Sequence, residues 1–212
     1  MRFIPLHHIQ LMIESRFAEN NVSADLMNTL TNCFDQPKSF EKEDFDAFTI
    51  QEILIYLRSS HEFYKAYWIP KIENSLLQLN HHLRGKYWSV KLLNLFFASY
   101  KKELVEHIEE EEDVLFSFVD LLIEGNAKEA HAHFIIDHFL QSHNDNVIIH
   151  LSQLKEDLLK FDEELKNDLM IEVLFQQIEH FQRDLMIHGL IEDQVFVQKV
   201  HQAVKDYFPE LA

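Results

Sequence analysis

Two stretches of the chain, HIEEEEDVLF (residues 107–116) and HGLIEDQVF (residues 188–196), share a histidine followed four residues later by a glutamate. On a helix that spacing puts both side chains on one face. Each pair also interrupts an apolar stripe. Leu174, Ile178, Phe181, Leu185, His188, Glu192 and Val195 advance in steps of four and three, and Tyr100, Leu104, His107, Glu111, Val114, Phe118 and Leu122 do nearly the same. Such a stripe faces a core. Polar groups buried there without partners cost about 1–3 kcal/mol each, and an ionised carboxylate costs more. A metal ion removes the cost by pairing all of them.

Two further stripes carry histidines: Leu54, Leu57, His61, Tyr64, Trp68, Ile72, and Ile136, Leu140, His143, Val147, His150, Leu154. If the turns near 48, 124 and 205 mark one end of a bundle, His61, Glu111 and Glu192 lie roughly 18 Å from it. His107, His143 and His188 then lie roughly 24 Å from it, at 1.5 Å per residue. All six therefore share one layer. Four imidazoles and two carboxylates suit iron, manganese or zinc better than calcium or magnesium. The expected site is dinuclear, with His61 and His107 on one ion, His143 and His188 on the other, and Glu111 and Glu192 bridging. Two iron ions (Fe2+/Fe3+) with an oxo or hydroxo bridge would each keep one position open, with Mn or Zn as substitutes.

The remaining candidates read differently. Glu109, Glu110 and Glu112 suit a solvated helix face. His150 lies about 10 Å along its helix from His143, and His81 and His82 about 30 Å from His61. His131, His133 and His138 fall off the stripe. Tyr64 suits either pocket lining or core packing, and Trp68 suits the core. No carboxylate stands three residues before any histidine, as ferritin-like di-iron sites require. No HExxH, glycine-rich phosphate loop or nucleophile elbow occurs.

The elements that must hold these residues are helices. Only 3 glycines and 4 prolines punctuate 212 residues, of which 47 % are apolar. The pattern predicts an all-α, up-down-up-down four-helix bundle over 49–212, preceded by a short helical N-terminal module and linker over 1–48. Within the module, apolar patterns at Ile9–Phe17 and Ala24–Phe34 suit short helices, and 35–48 reads as a linker. Thr49 and Glu52 form a capping box. The long helices are expected over 50–82, kinked at Pro70, then 88–123, from the Gly125-Asn126 turn to about 160, and 166–204.

The net charge of −17 disfavours nucleic acid and anionic membrane surfaces as partners. The single cysteine, Cys33, excludes a disulfide framework and a thiolate metal cage. No apolar run is long enough to span a membrane, and MRFIPLHHIQLM lacks the features of a signal peptide. A cytoplasmic location is expected.

The motifs SHEFYKAYWIPKIE, HIEEEEDVLF, QSHNDN and HGLIEDQVF resemble, in order and spacing, the hemerythrin-like (HHE cation-binding) family over about residues 50–205. The nearest resemblance is to its di-iron branch implicated in iron–sulfur cluster repair after nitrosative and oxidative damage. It implies the same six ligands and a small ligand such as O2, NO or peroxide. It also implies a stress-response role, with an iron–sulfur protein or a regulator as partner of the N-terminal module. Oxygen-carrying hemerythrins have a second histidine where this chain has Val147, which argues against simple oxygen carriage. Cluster-repair proteins commonly carry paired cysteines in the N-terminal domain, where this chain has only Cys33. A second expectation is a binding module that senses O2, NO or redox state and signals through residues 1–48.

Overall fold

The computed structural model describes residues 22–140, 160, 165 and 167–211. Among the described residues every regular element is helical and there is no strand, so the all-α class holds. The α-helices are α1 (Ala24–Asp35), α2 (Ile50–Phe63), α3 (Ile69–His82), α4 (Trp88–Glu110), α5 (Ser117–Ile123), α6 (Glu129–Ile135), α7 (Leu169–Ile191) and α8 (Val197–Tyr207). No helix among the described residues is long and apolar enough to cross a membrane.

Local chemistry accounts for the helix ends. Ser23 accepts the N–H of Leu26 at the start of α1. At α2 the capping box forms as expected: Thr49 N–H donates to Glu52 at 2.9 Å, and Glu52 N–H to Thr49 Oγ1 at 3.2 Å. Asp168 accepts from the N–H groups of Met170 and Ile171, so α7 begins at Leu169, slightly later than predicted. After α3 and α5 the chain reverses through Gly85 and Gly125, both with positive φ, where a side chain would be strained.

The long helices are not α-helical throughout. π turns occupy Tyr64–Trp68, Glu111–Phe116, Ile136–Leu140 and Glu192–Phe196. The sequence predicts a kink at Pro70, but the irregularity begins one turn earlier. Ile69 N–H reaches back five residues to the Tyr64 carbonyl, and Val197 N–H likewise reaches Glu192. Each π turn inserts a residue and shifts the buried face. Val114, placed on the core stripe by its spacing, is half-exposed, while Leu115 and Phe116 are fully buried. Near the third predicted stripe, Ala132, Ile135 and Phe139 are buried and Ile136 only half-buried. His143, Val147, His150 and Leu154, like Ile9–Phe17, lie outside the described residues.

The chain divides into two compact units. The first comprises Met1–Glu62, Glu109–Asn144 and Ile187–Ala212. In it, α1 buries Leu26, Leu30, Cys33 and Phe34. The segment expected as a linker forms two 3-10 turns, Pro37–Ser39 and Lys42–Phe45. Phe45 is fully buried between Phe40 and Phe48, and its turn packs against the π turn Glu192–Phe196.

The second unit comprises Phe63–Ile108 and Asp145–Met186. Its centre is Phe181, on which Trp68 stacks at 5.8 Å while Tyr64 and Tyr100 meet it edge-on. Beside it the carboxylate of Asp184 is 1 % exposed and accepts from Tyr64 OH at 3.1 Å and Trp68 Nε1–H at 3.0 Å. Tyr64 and Trp68 thus serve the core of this unit, and a buried aspartate that periodicity did not single out anchors both. Asp184→Ala strands two buried donors and is expected to destabilise the protein by on the order of 2–5 kcal/mol. Asp184→Asn, which keeps one acceptor oxygen, should cost less. Urea unfolding checks this; a loss below about 1 kcal/mol for the alanine variant would show that the network is dispensable.

Candidate metal centre

His61, Glu111 and His188 meet inside the first unit, each contributing one ligand atom, and the three atoms all lie within 4.8 Å of one another. His61 comes from the last turn of α2, Glu111 opens one π turn, and His188 sits one turn before Glu192, which opens another. All four side chains are buried: His61 and Glu111 are 1 % exposed, His188 6 % and Glu192 0 %.

The separations are those of donors around one cation. His61 Nε2 lies 3.2 Å from Glu111 Oε2 and 3.2 Å from His188 Nε2, and His188 Nε2 lies 3.4 Å from Glu192 Oε2. Ligand atoms at about 2.0–2.1 Å from an ion stand roughly 2.8–3.4 Å apart in octahedral or tetrahedral arrangement. Nitrogen and carboxylate donors of this kind suit zinc, iron and manganese. The group can therefore hold a metal ion.

The other side of His61 is also engaged. Nδ1 donates to Glu112 Oε1 at 2.9 Å, since a carboxylate has no proton to offer in return. Phe116 stacks on the imidazole at 5.3 Å with only 9° between the rings. With Nδ1 carrying its hydrogen, Nε2 faces Glu111 and His188 with a lone pair unless a cation is present. In the metal-free chain that cation is a second proton. Burial works to lower the His61 pKa, but hydrogen bonds to Glu111 and Glu112 and the charges of Glu111 and Glu192 outweigh it, pushing it up to about 9. Glu112 moves the other way. Burial would raise its pKa, yet the bond and charge of His61 and the Arg58 guanidinium hold it below the usual carboxylate range.

Of the six residues predicted as ligands, the structure brings together His61, Glu111, His188 and Glu192. The two histidines assigned by sequence to different ions are near enough to share one. His107 is half-exposed one turn before Glu111, belongs to the second unit and is not in the convergent group. His143 lies outside the described residues. His131, His133 and His138 are exposed, as expected. Sequence reasoning missed Glu112, assigned to a solvated face but bonded to His61, and Arg58, which bridges Glu112 and Asp120. The signal was adjacency: Glu112 follows a ligand candidate and Arg58 precedes one by a single turn.

Cys33 plays no part in this group. Burial, reinforced by the charge of Asp44, pushes its thiol up to about 11, so little thiolate exists near neutrality. Compared with protein-family models, with curated proteins and with solved structures, the chain matches none.

The raised His61 pKa sets a pH dependence for the metal-free protein. Its stabilisation is fully present below the unfolded-state pKa near 6.5 and is lost as pH rises through about 9. The apo melting temperature should fall across that window, and a saturating divalent ion, which replaces the proton, should flatten the fall. An apo melting temperature that stays level from pH 6.5 to 9 would contradict the assignment.

Proposed function

We propose that the chain is a non-haem iron protein of the hemerythrin-like type, built as an up-down-up-down four-helix bundle, that works in the nitrosative and oxidative stress response of the cytoplasm. The observation that carries this reading is the buried convergence of His61 Nε2, Glu111 and His188 Nε2 at one point. His61, Glu111, His188 and Glu192 would hold iron, which supplies ferrous–ferric cycling and a position for O2, NO or peroxide. The reading of a second ion rests on the sequence positions of His107 and His143. Phe116, parallel to His61, and Phe196, 5.4 Å from Phe116, support limited water access. Support of iron–sulfur cluster repair, by binding such molecules or supplying iron, rests on the family resemblance.

A second reading is a sensing module that signals to a partner protein through residues 1–48. The observation favouring it is the packing of the Lys42–Phe45 turn against the π turn that Glu192 opens. Catalytic turnover by the isolated protein would count against it.

Elemental analysis of freshly purified protein, together with its visible spectrum, tests the metal reading. About two irons per chain with oxo-bridge bands is the expected result. No metal after anaerobic iron reconstitution would overturn it. His61→Ala and Glu111→Ala should each lower metal content and melting temperature of the holoprotein. Metal content unchanged in either variant removes that residue from the ligand set.

A further inference from the structure

Around His61 a second set of contacts links Arg58, Glu112 and Asp120. Glu112 uses both carboxylate oxygens, accepting from His61 Nδ1 through Oε1 and from Arg58 Nε, at 3.2 Å, through Oε2. Arg58 is in turn clamped on Asp120, with NH1 at 3.2 Å from one oxygen and NH2 at 2.6 Å from the other. Its Cζ lies 5.8 Å from the centroid of Phe116, the ring that stacks on His61. The Arg58, Glu112 and Asp120 side chains are 36 %, 25 % and 44 % exposed. An isolated ion pair at such exposure contributes little to stability, whereas this one is bidentate and networked. The arrangement does fix geometry. A guanidinium fork has the planar set of donors needed to hold two carboxylates at once, which a lysine lacks.

The atom fixed is a specific one. Because Glu112 takes the hydrogen on Nδ1, Nε2 is left to face Glu111 and His188. Metal-bound histidines are commonly oriented by a carboxylate on the far nitrogen, which also makes the ligand nitrogen more basic. We propose that Glu112 is the positioning residue of the metal centre, presenting His61 Nε2 to the ion, and that Arg58, anchored on Asp120, holds Glu112 in place. The inference rests on the metal reading given above.

The test uses the full chain, Co2+ alone as probe, and two variants, Glu112→Leu and Glu112→Gln. Co2+ affinity is read from visible absorption. In parallel, a long-range proton–nitrogen NMR correlation on the metal-free protein reads the His61 Nδ1–H. The wild type should show this hydrogen as a slowly exchanging signal. Glu112→Leu should lose it and bind Co2+ about tenfold to a hundredfold more weakly. Glu112→Gln, which keeps an acceptor, should keep the signal and fall between. Glu112→Leu with affinity within about twofold of wild type, far short of the loss expected for such a partner, overturns the proposal. So does a wild type lacking the slow Nδ1–H. Should the leucine variant not fold, the glutamine variant decides: weakened binding upholds the proposal and wild-type affinity overturns it. A wild type that takes up no Co2+ defeats the metal reading instead, while the N–H signal, recorded without metal, still reports on Glu112.

Discussion

The first unit is organised around one imidazole held between two carboxylates. His61 meets Glu111 on one edge and Glu112 on the other, with Phe116 covering its face. Buried groups of this kind are tolerable only when a positive charge sits among them, and the unit is arranged to keep one there. Everything nearby follows from that demand. The end of α2, the junction of α4 with α5 and the junction of α7 with α8 must all deliver a side chain to the same place. Their apolar flanks, Leu57, Leu115 and Ile191 among them, are fully buried.

The π turns are part of how this is done. Two of them begin at Glu111 and Glu192, and a third begins three residues after His61. A π turn carries an extra residue and rotates everything downstream of it. After the inward glutamate of each, two consecutive apolar residues are buried, Leu115 and Phe116 in one and Val195 and Phe196 in the other. Such bulges carry a conformational cost and often accompany functional positions. Their recurrence beside these four ligand candidates fits the chemistry of the site.

Much of this was legible in the sequence. Steps of three and four separated the buried face of α2 and α3 (Leu54, Leu57, His61, Tyr64, Trp68 and Ile72, all buried) from its surroundings. The same spacing isolated His188 and Glu192, because a polar residue on an apolar stripe stands out. The π turns were not legible, since they arise from packing and leave no fixed motif; Val114 was misplaced for that reason. Glu112 and Arg58 escaped because a carboxylate in an acid run looks solvated until its neighbour across the unit is known. Asp184 escaped because it lies beside the stripe, and only the tertiary fold brings Tyr64 and Trp68 to it.

The seating of the Lys42–Phe45 turn on the π turn Glu192–Phe196 ties two distant parts of the chain into one thermodynamic account. Free energy spent ordering either turn is shared by the other, and the exchange is reciprocal. The burial of Phe45 therefore helps to hold the turn that Glu192 opens. The Lys42–Phe45 turn is in this sense a brace for the turn beside the cluster, set far from it in sequence but against it in the fold.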